Sequence, residues 1–294
     1  MKKNIFKTVI ISLIIFMSIS ISFVYGQSKA LILQEMSWVD VQEYLKNNDM
    51  VIIPLGSTEQ HGPHMPLGTD CYEAFGMSKL ISKQTGVIVA PVLWSGYSVY
   101  HSGFPGTLSL KPETMEQVLF ETAEMLMKYG FRRFMFFNYH GGNNIVQQKV
   151  IHRINHTTEA VAFAIGHGSA IQKSGEGEFF DWHAGKGETS IMLYLKPELV
   201  KKEQIENPQI TFTPKVEQLY NLAKQDQLLL NVAGLYLGVP VETKKGGASH
   251  ELSSNGIWSF SDVKSASKEI GKKTVDRMVN AAVKFIEAWK QVKK

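Results

Sequence analysis

The sequence predicts an α/β fold in which a mostly parallel sheet is covered by helices on both faces. Three observations carry this expectation. Short continuous apolar runs recur along the chain, as in strands buried on both faces. Stretches with a helical pattern separate them, as the crossovers of a parallel sheet require. Polar and metal-type side chains cluster directly after several of the runs, where open α/β sheets bind their ligands.

The elements follow in order. Residues 1–26 read as a secretory signal peptide: Lys2, Lys3 and Lys7 precede an apolar stretch from Val9 to Phe23, and Val24 and Gly26 occupy the −3 and −1 positions. No Cys follows the stretch, so a lipid anchor is not expected. The mature protein is then exported and periplasmic, without membrane attachment. Residues 27–294 form a single domain. Ser37 caps a helix to about Lys46, and Met50–Leu55 is a buried strand ending at Gly56. A Gly-, Pro- and His-rich loop runs from Ser57 to Thr69, followed by a helix from Tyr72 to about Lys83. Gly86–Trp94 is a second strand. Pro112–Tyr129 is a helix with Pro in its first turn and Gly130 beyond its end. Strands are expected over Phe131–Asn138 and Ala160–Ile165, with a helix after Asn143 and another over Glu188–Leu195. Residues 197–250 read as a variable insertion or lid with a helix near Val216–Leu230. Asp262–Val292 reads as a long amphipathic helix, capped by Ser261 and broken near Gly271.

Composition narrows the function. With 44% apolar and 20% charged residues the chain is globular rather than disordered. The single cysteine, Cys71, excludes an intramolecular disulfide framework and a CxxC zinc site, and is read as an apolar filler. Without the leader, 28 basic residues face 27 acidic ones. No basic patch points to nucleic acid.

Three stretches carry chemistry. The first is Gly56-Ser-Thr-Glu59-Gln-His61-Gly-Pro-His64-Met-Pro-Leu-Gly-Thr-Asp70. In extended chain Glu59 and His61 point the same way, and Asp70 lies far enough on for the loop to turn back. The second, Asn138-Tyr-His140-Gly-Gly142-Asn143, directly follows a strand, and its glycines let backbone approach a ligand closely. The third is Asp181-Trp182-His183-Ala-Gly-Lys-Gly-Glu188-Thr-Ser190, in which Glu188 also suits the positive end of a helix dipole. Taken singly, each of these residues has an ordinary structural reading: a surface pair, a turn, a cap. His64 and His101 serve either as donors that orient a ligand or as structural groups. Trp182, Phe179 and Phe180 wall a pocket or belong to the core.

Together, Pro54–Asp70, His140-Gly-Gly-Asn143 and His183-Ala-Gly-Lys-Gly-Glu-Thr-Ser190 resemble the creatininase (creatinine amidohydrolase) family, as do His101–Leu110 and the tail near Ser254–Gly271. The resemblance covers nearly all of the mature chain. It implies a three-layer α/β/α domain holding two divalent metal ions, and often a homo-oligomer such as a hexamer. Carried over by position, Glu59, His61, Asp70, His140 and Glu188 are the implied ligands. Asp70 bridges, His183 shuttles the proton, and His101, Trp182 and Asn143 lie at the substrate. Gly142 departs from the glutamate ligand that creatininase itself carries there, which argues against creatinine as substrate.

The residue types support this chemistry independently. Two histidines and three carboxylates, without thiolate, suit Zn²⁺, Mn²⁺ or Fe²⁺. Two such ions share a water and lower its pKa towards about 7, giving a nucleophile for an amide carbonyl. A neutral His183 carries the proton to the leaving nitrogen. The expected function is hydrolysis of a non-peptide C–N bond in a small amide. The alternatives are a peptidase or deformylase acting on a modified substrate, and an exported binding protein that has lost catalysis.

Overall fold

The computed structural model describes residues 29–166, 181–223 and 237–292. The expected leader, Phe179, Phe180 and the second half of the helix expected over 216–230 lie outside the described residues.

Among the described residues, four parallel strands form the central sheet: β1 (Met50–Leu55), β2 (Ile88–Val89), β3 (Arg133–Asn138) and β4 (Val161–Gly166), in the order β2-β1-β3-β4. All six residues of β1 are buried, which explains its unbroken apolar run. The alternation of a strand still sorts them. Met50 and Ile52 face a core completed by helices α2 (Thr69–Thr85) and α8 (Lys268–Lys290). Val51, Ile53 and Leu55 face a second core, built with α3 (Pro112–Tyr129) and α4 (Asn144–Thr157). The result is a three-layer α/β/α sandwich. No described helix is long and apolar enough to cross a membrane.

Local sequence explains most boundaries. Helix α1 (Trp38–Leu45) opens with a capping box in which Ser37 and Asp40 exchange backbone and side-chain hydrogen bonds. Helix α3 stops where Gly130 adopts φ 114°. Beyond the sheet, β5 (Asp181–His183) pairs antiparallel with β6 (Trp258–Ser259), and α5 (Lys186–Leu195) follows β5. In the 197–250 stretch the described elements include α6 (Pro214–Ala223) and the first residues of α7 (Ser249–Leu252).

Three elements differ from expectation. Helix α2 begins at Thr69 rather than Tyr72, so Asp70 stands in its first turn. The strand expected over 86–94 pairs only at Ile88–Val89, with one further bridge from Leu93 to Leu55, because Pro91 cannot donate to a ladder. The last helix starts at Lys268, capped by Ser267, whose hydroxyl accepts from the Ile270 amide at 3.2 Å. Ser261 instead joins Ser259 and Asp181 in a hydroxyl network. The helix also runs unbroken through Gly271, which marks a close approach: a Cβ there would strike the Ser190 carbonyl on α5.

Candidate metal centre

The three motif stretches converge at the carboxyl end of the sheet, around a pocket lined by Glu59, Asp70, His140, His183, Glu188 and the rings of Tyr100, Tyr139 and Trp182. Gly56 ends β1 and crosses the start of α2 so closely that a Cβ would lie 2.6 Å from the Cys71 backbone. This crossing sets the Glu59–His61 loop against Asp70.

Asp70 lies between two histidines. One carboxylate oxygen is 3.2 Å from His61 Nε2 and the other 3.2 Å from His140 Nδ1. Glu59 Oε2 stands 3.1 Å from the same His140 nitrogen, and Glu188 Oε2 is 3.9 Å from His61 Nε2. Glu188 sits in the first turn of α5 and accepts from the Ala184 amide at 2.5 Å, so it is a helix-end carboxylate as well as a site residue. Ala184 takes a left-handed φ of 53°, a costly conformation for a residue with a Cβ.

The histidines are oriented from behind. His61 Nδ1 donates to the Glu59 carbonyl at 3.1 Å, His140 Nε2 to the Tyr97 carbonyl at 2.9 Å, and His183 Nε2 to the Gln60 carbonyl at 2.7 Å. In each neutral ring this turns the remaining nitrogen lone pair into the pocket, towards carboxylates. Lone pairs facing carboxylate oxygens repel unless a cation lies between them. Among the described residues, Glu59 Oε2 and Asp70 Oδ2 are buried without a hydrogen-bond partner, which fits the same requirement. Distances and donor types therefore suit divalent cations. Glu59, Asp70 and His140 offer one convergent set, and Glu188 with His61 and His183 another.

Protons compete for these positions. Burial works against a charged His61, yet Asp70 and Glu188 push its pKa up to about 9. Burial opposes a charged His140 too, but Glu59 and Asp70 raise it well above the usual range. Burial drives Glu188 up to about 8, with Asp70 and Asp181 adding to the effect and His61 opposing it. Burial also holds His183 well below its ordinary value, helped by His101 and His61. The imidazole of His183 is therefore neutral.

One expected substrate residue is placed differently. Asn143 is fully buried; its amide nitrogen donates to the Gly56 carbonyl (3.0 Å) and to Asn138 (3.2 Å), while its oxygen accepts from the Tyr97 amide (3.1 Å). It ties three loops together rather than facing the pocket. His101 does line the pocket, with Nε2 3.1 Å from Glu59 Oε1 and its other nitrogen 2.7 and 3.2 Å from Ser249 and Gln60. Trp182 does line the pocket, edge-on to Trp258 and 6.4 Å from the near-parallel Tyr100 ring. Sequence reading passed over Gln60, Tyr100, Tyr139 and Glu73. For Glu73 a signal existed: it stands three residues after Asp70 on α2.

Comparison with known proteins agrees with this architecture. The family model for creatininase (creatinine amidohydrolase) matches residues 34–286, and the chain belongs to that family. A 3-dehydro-scyllo-inosose hydrolase of Thermotoga maritima is 34% identical over 180 residues, 58% of each chain. A mycofactocin precursor peptide peptidase of Mycolicibacterium smegmatis is 34% identical over 172 residues, 53% of this chain and 62% of its own. The matches thus span about three-fifths of these relatives. The creatinine amidohydrolase of Pseudomonas putida is 28% identical over 212 residues, 64% of this chain and 80% of its own. Among solved structures, a creatininase variant of "Zn-Zn type" and a manganese creatininase each superpose with a TM-score of 0.69 at 23% identity, covering 90% of this chain and all of theirs. At that identity the likeness establishes the fold.

Proposed function

We propose that the protein is a metal-dependent hydrolase of a C–N amide bond in a small, non-peptide substrate, working with two divalent ions. The observation that carries this reading is the bridging position of Asp70 between His61 and His140. Glu59, Asp70 and His140 would hold one ion, and His61 and Glu188, with Asp70, the other. Bound there, the ions would supply a nucleophilic water at neutral pH and a Lewis acid for the carbonyl oxygen.

The remaining work falls to this chain's side chains. His183, neutral and with Nε2 fixed on the Gln60 carbonyl, presents Nδ1 to the reacting atoms and moves the proton to the leaving nitrogen. Tyr100 and Trp182 offer near-parallel faces for a flat substrate. Relatives named as a creatinine amidohydrolase and as a peptide peptidase support C–N hydrolysis as the shared chemistry. Creatinine itself fits less well, because Gly142 leaves no carboxylate at that point of the loop. The leader over residues 1–26 supports action outside the cytoplasm.

The test is metal content per chain after purification without chelator, for wild type and Asp70→Ala, followed by an amide screen. About two ions in wild type, lost in the variant, are expected. A wild-type value near zero that added Zn²⁺, Mn²⁺ or Fe²⁺ does not restore overturns the reading.

A further inference from the structure

Glu73 is the buried acid that the five-ligand reading leaves without a task. It stands one helical turn after Asp70, so both carboxylates leave the same face of α2. Its exposure is 0%, and among the described residues neither of its oxygens has a hydrogen-bond partner. A carboxylate so placed is normally paired or bound to a cation. Yet the charges that act on it are Glu188 and Asp70, both negative, and together with burial they push its pKa well above the usual range. An oxygen from each of Asp70, Glu73 and Glu188 lies within 4.8 Å of the other two.

We infer that Glu73 is a further metal ligand, completing the ion position formed by His61, Asp70 and Glu188. This rests on the two-ion reading above. Four protein groups then surround that ion, three carboxylates and one imidazole, whereas the ion at Glu59, Asp70 and His140 has two carboxylates and one imidazole. The two positions are therefore unlike. The carboxylate-rich one takes a harder ion such as Mn²⁺, and the other accommodates Zn²⁺ equally well. The added carboxylate also offsets the one that Gly142 does not supply.

The rival role for Glu73 is a neutral carboxyl group donating a hydrogen bond to Glu188. Glu73→Gln separates the two, because an amide keeps the shape and the donor but removes the anionic ligand. The measurements are Mn²⁺ stoichiometry and affinity, by elemental analysis and competition with a chelator, on the full mature chain. They are made for wild type, Glu73→Gln and Glu73→Met, with unfolding temperatures in chelator as a folding control. Wild type is expected to bind two ions, and Glu73→Gln to bind one of them at least about tenfold more weakly, with the other unchanged. In chelator both variants should unfold no lower than wild type, since each removes a buried acid beside two others. Glu73→Met gives the same readout should the glutamine variant not fold. Affinities within about twofold of wild type at both positions in a folded variant overturn the inference and leave the two-ion reading standing. Absence of ions from wild type itself overturns both.

Discussion

His183 Nε2 lies 2.7 Å from the main-chain oxygen of Gln60, and a carbonyl oxygen only accepts. The Gln60 side-chain nitrogen is also near, at 2.9 Å, but it has two other acceptors in the Gly256 carbonyl (2.9 Å) and His101 Nδ1 (3.2 Å). The shorter contact to the Gln60 carbonyl sets the tautomer, with Nε2 of His183 protonated and Nδ1 bare. Nδ1 lies 3.6 Å from Glu59 Oε1, at the edge of the ligand set. His183 is thus built to exchange a proton in the pocket while staying neutral at rest. His183→Ala should lower kcat by about 10²–10⁴-fold, in line with loss of a general acid–base group. Metal content should stay as in wild type. Loss of metal together with activity would make His183 a ligand instead.

Gly142 is enforced by sterics. A Cβ there would run into the Tyr97 carbonyl and His140 Nε2, and would lie 2.8 Å from the Tyr100 hydroxyl. The Tyr97 carbonyl is the acceptor that orients His140. Gly142→Ala should therefore cost about 1–3 kcal/mol of stability, as overpacking does. It should also weaken metal binding through His140. Chemical denaturation with and without added metal checks both. Gly142→Glu should not install a working ligand, because the space its stem needs is already filled.

The sheet and the motif loops were legible for the same reason: local pattern and final environment agree there. Met50–Leu55 is apolar throughout because both faces are buried, and Glu59 and His61, two residues apart, both reach the Asp70–His140 cluster. The misreadings share a cause as well. With the helix start set at Tyr72, Asp70 belongs to a loop and its one-turn relation to Glu73 does not show. Ser261 and Ser267 offer the same hydroxyl to a helix start, and only the packing of Ser261 against Asp181 and Ser259 decides between them. The tasks of Asn143 and His101 depend on partners 41 or more residues away in sequence, such as Gly56, Tyr97 and Ser249, which no local pattern encodes.

His64 gives the metal-free protein a measurable acid sensitivity. Its Nε2 meets the Thr189 hydroxyl at 2.8 Å, next to Glu188, and its Nδ1 is buried without a partner among the described residues. Burial, with His61 adding to it, lowers its pKa to about 4. The unfolded chain takes up this proton below its ordinary value of about 6.5, whereas the folded one does so only near 4. The unfolded state therefore binds more protons between those values, and stability falls as pH drops through the window. A shift of this size corresponds to about 3 kcal/mol between pH 6.5 and 4. His101 and His183 are shifted in the same direction, so the difference between two proteins is the clean readout. In chelator, His64→Gln should lose stability less steeply than wild type as pH falls through this window. Equal slopes would show that the His64 proton is not coupled to folding.

The metal centre also depends on how closely two helices meet behind it. Gly271 of α8 passes over the backbone of α5 so tightly that a Cβ would strike the Ser190 carbonyl and lie 2.9 Å from the Ile191 amide nitrogen. These are main-chain atoms and cannot rotate away. In an open helix Gly→Ala would gain about 1 kcal/mol from propensity. Here the helices must separate instead, and the expected net effect of Gly271→Ala is a loss of about 1–3 kcal/mol. Ser190 lies two residues after Glu188, so movement of α5 shifts a proposed ligand as well. The variant should unfold at lower temperature and bind the ion at His61, Asp70 and Glu188 more weakly, with the ion at Glu59 and His140 less affected. Thermal unfolding and metal titration of the same sample test this, and a variant as stable as wild type would show that α8 is free to slide on α5.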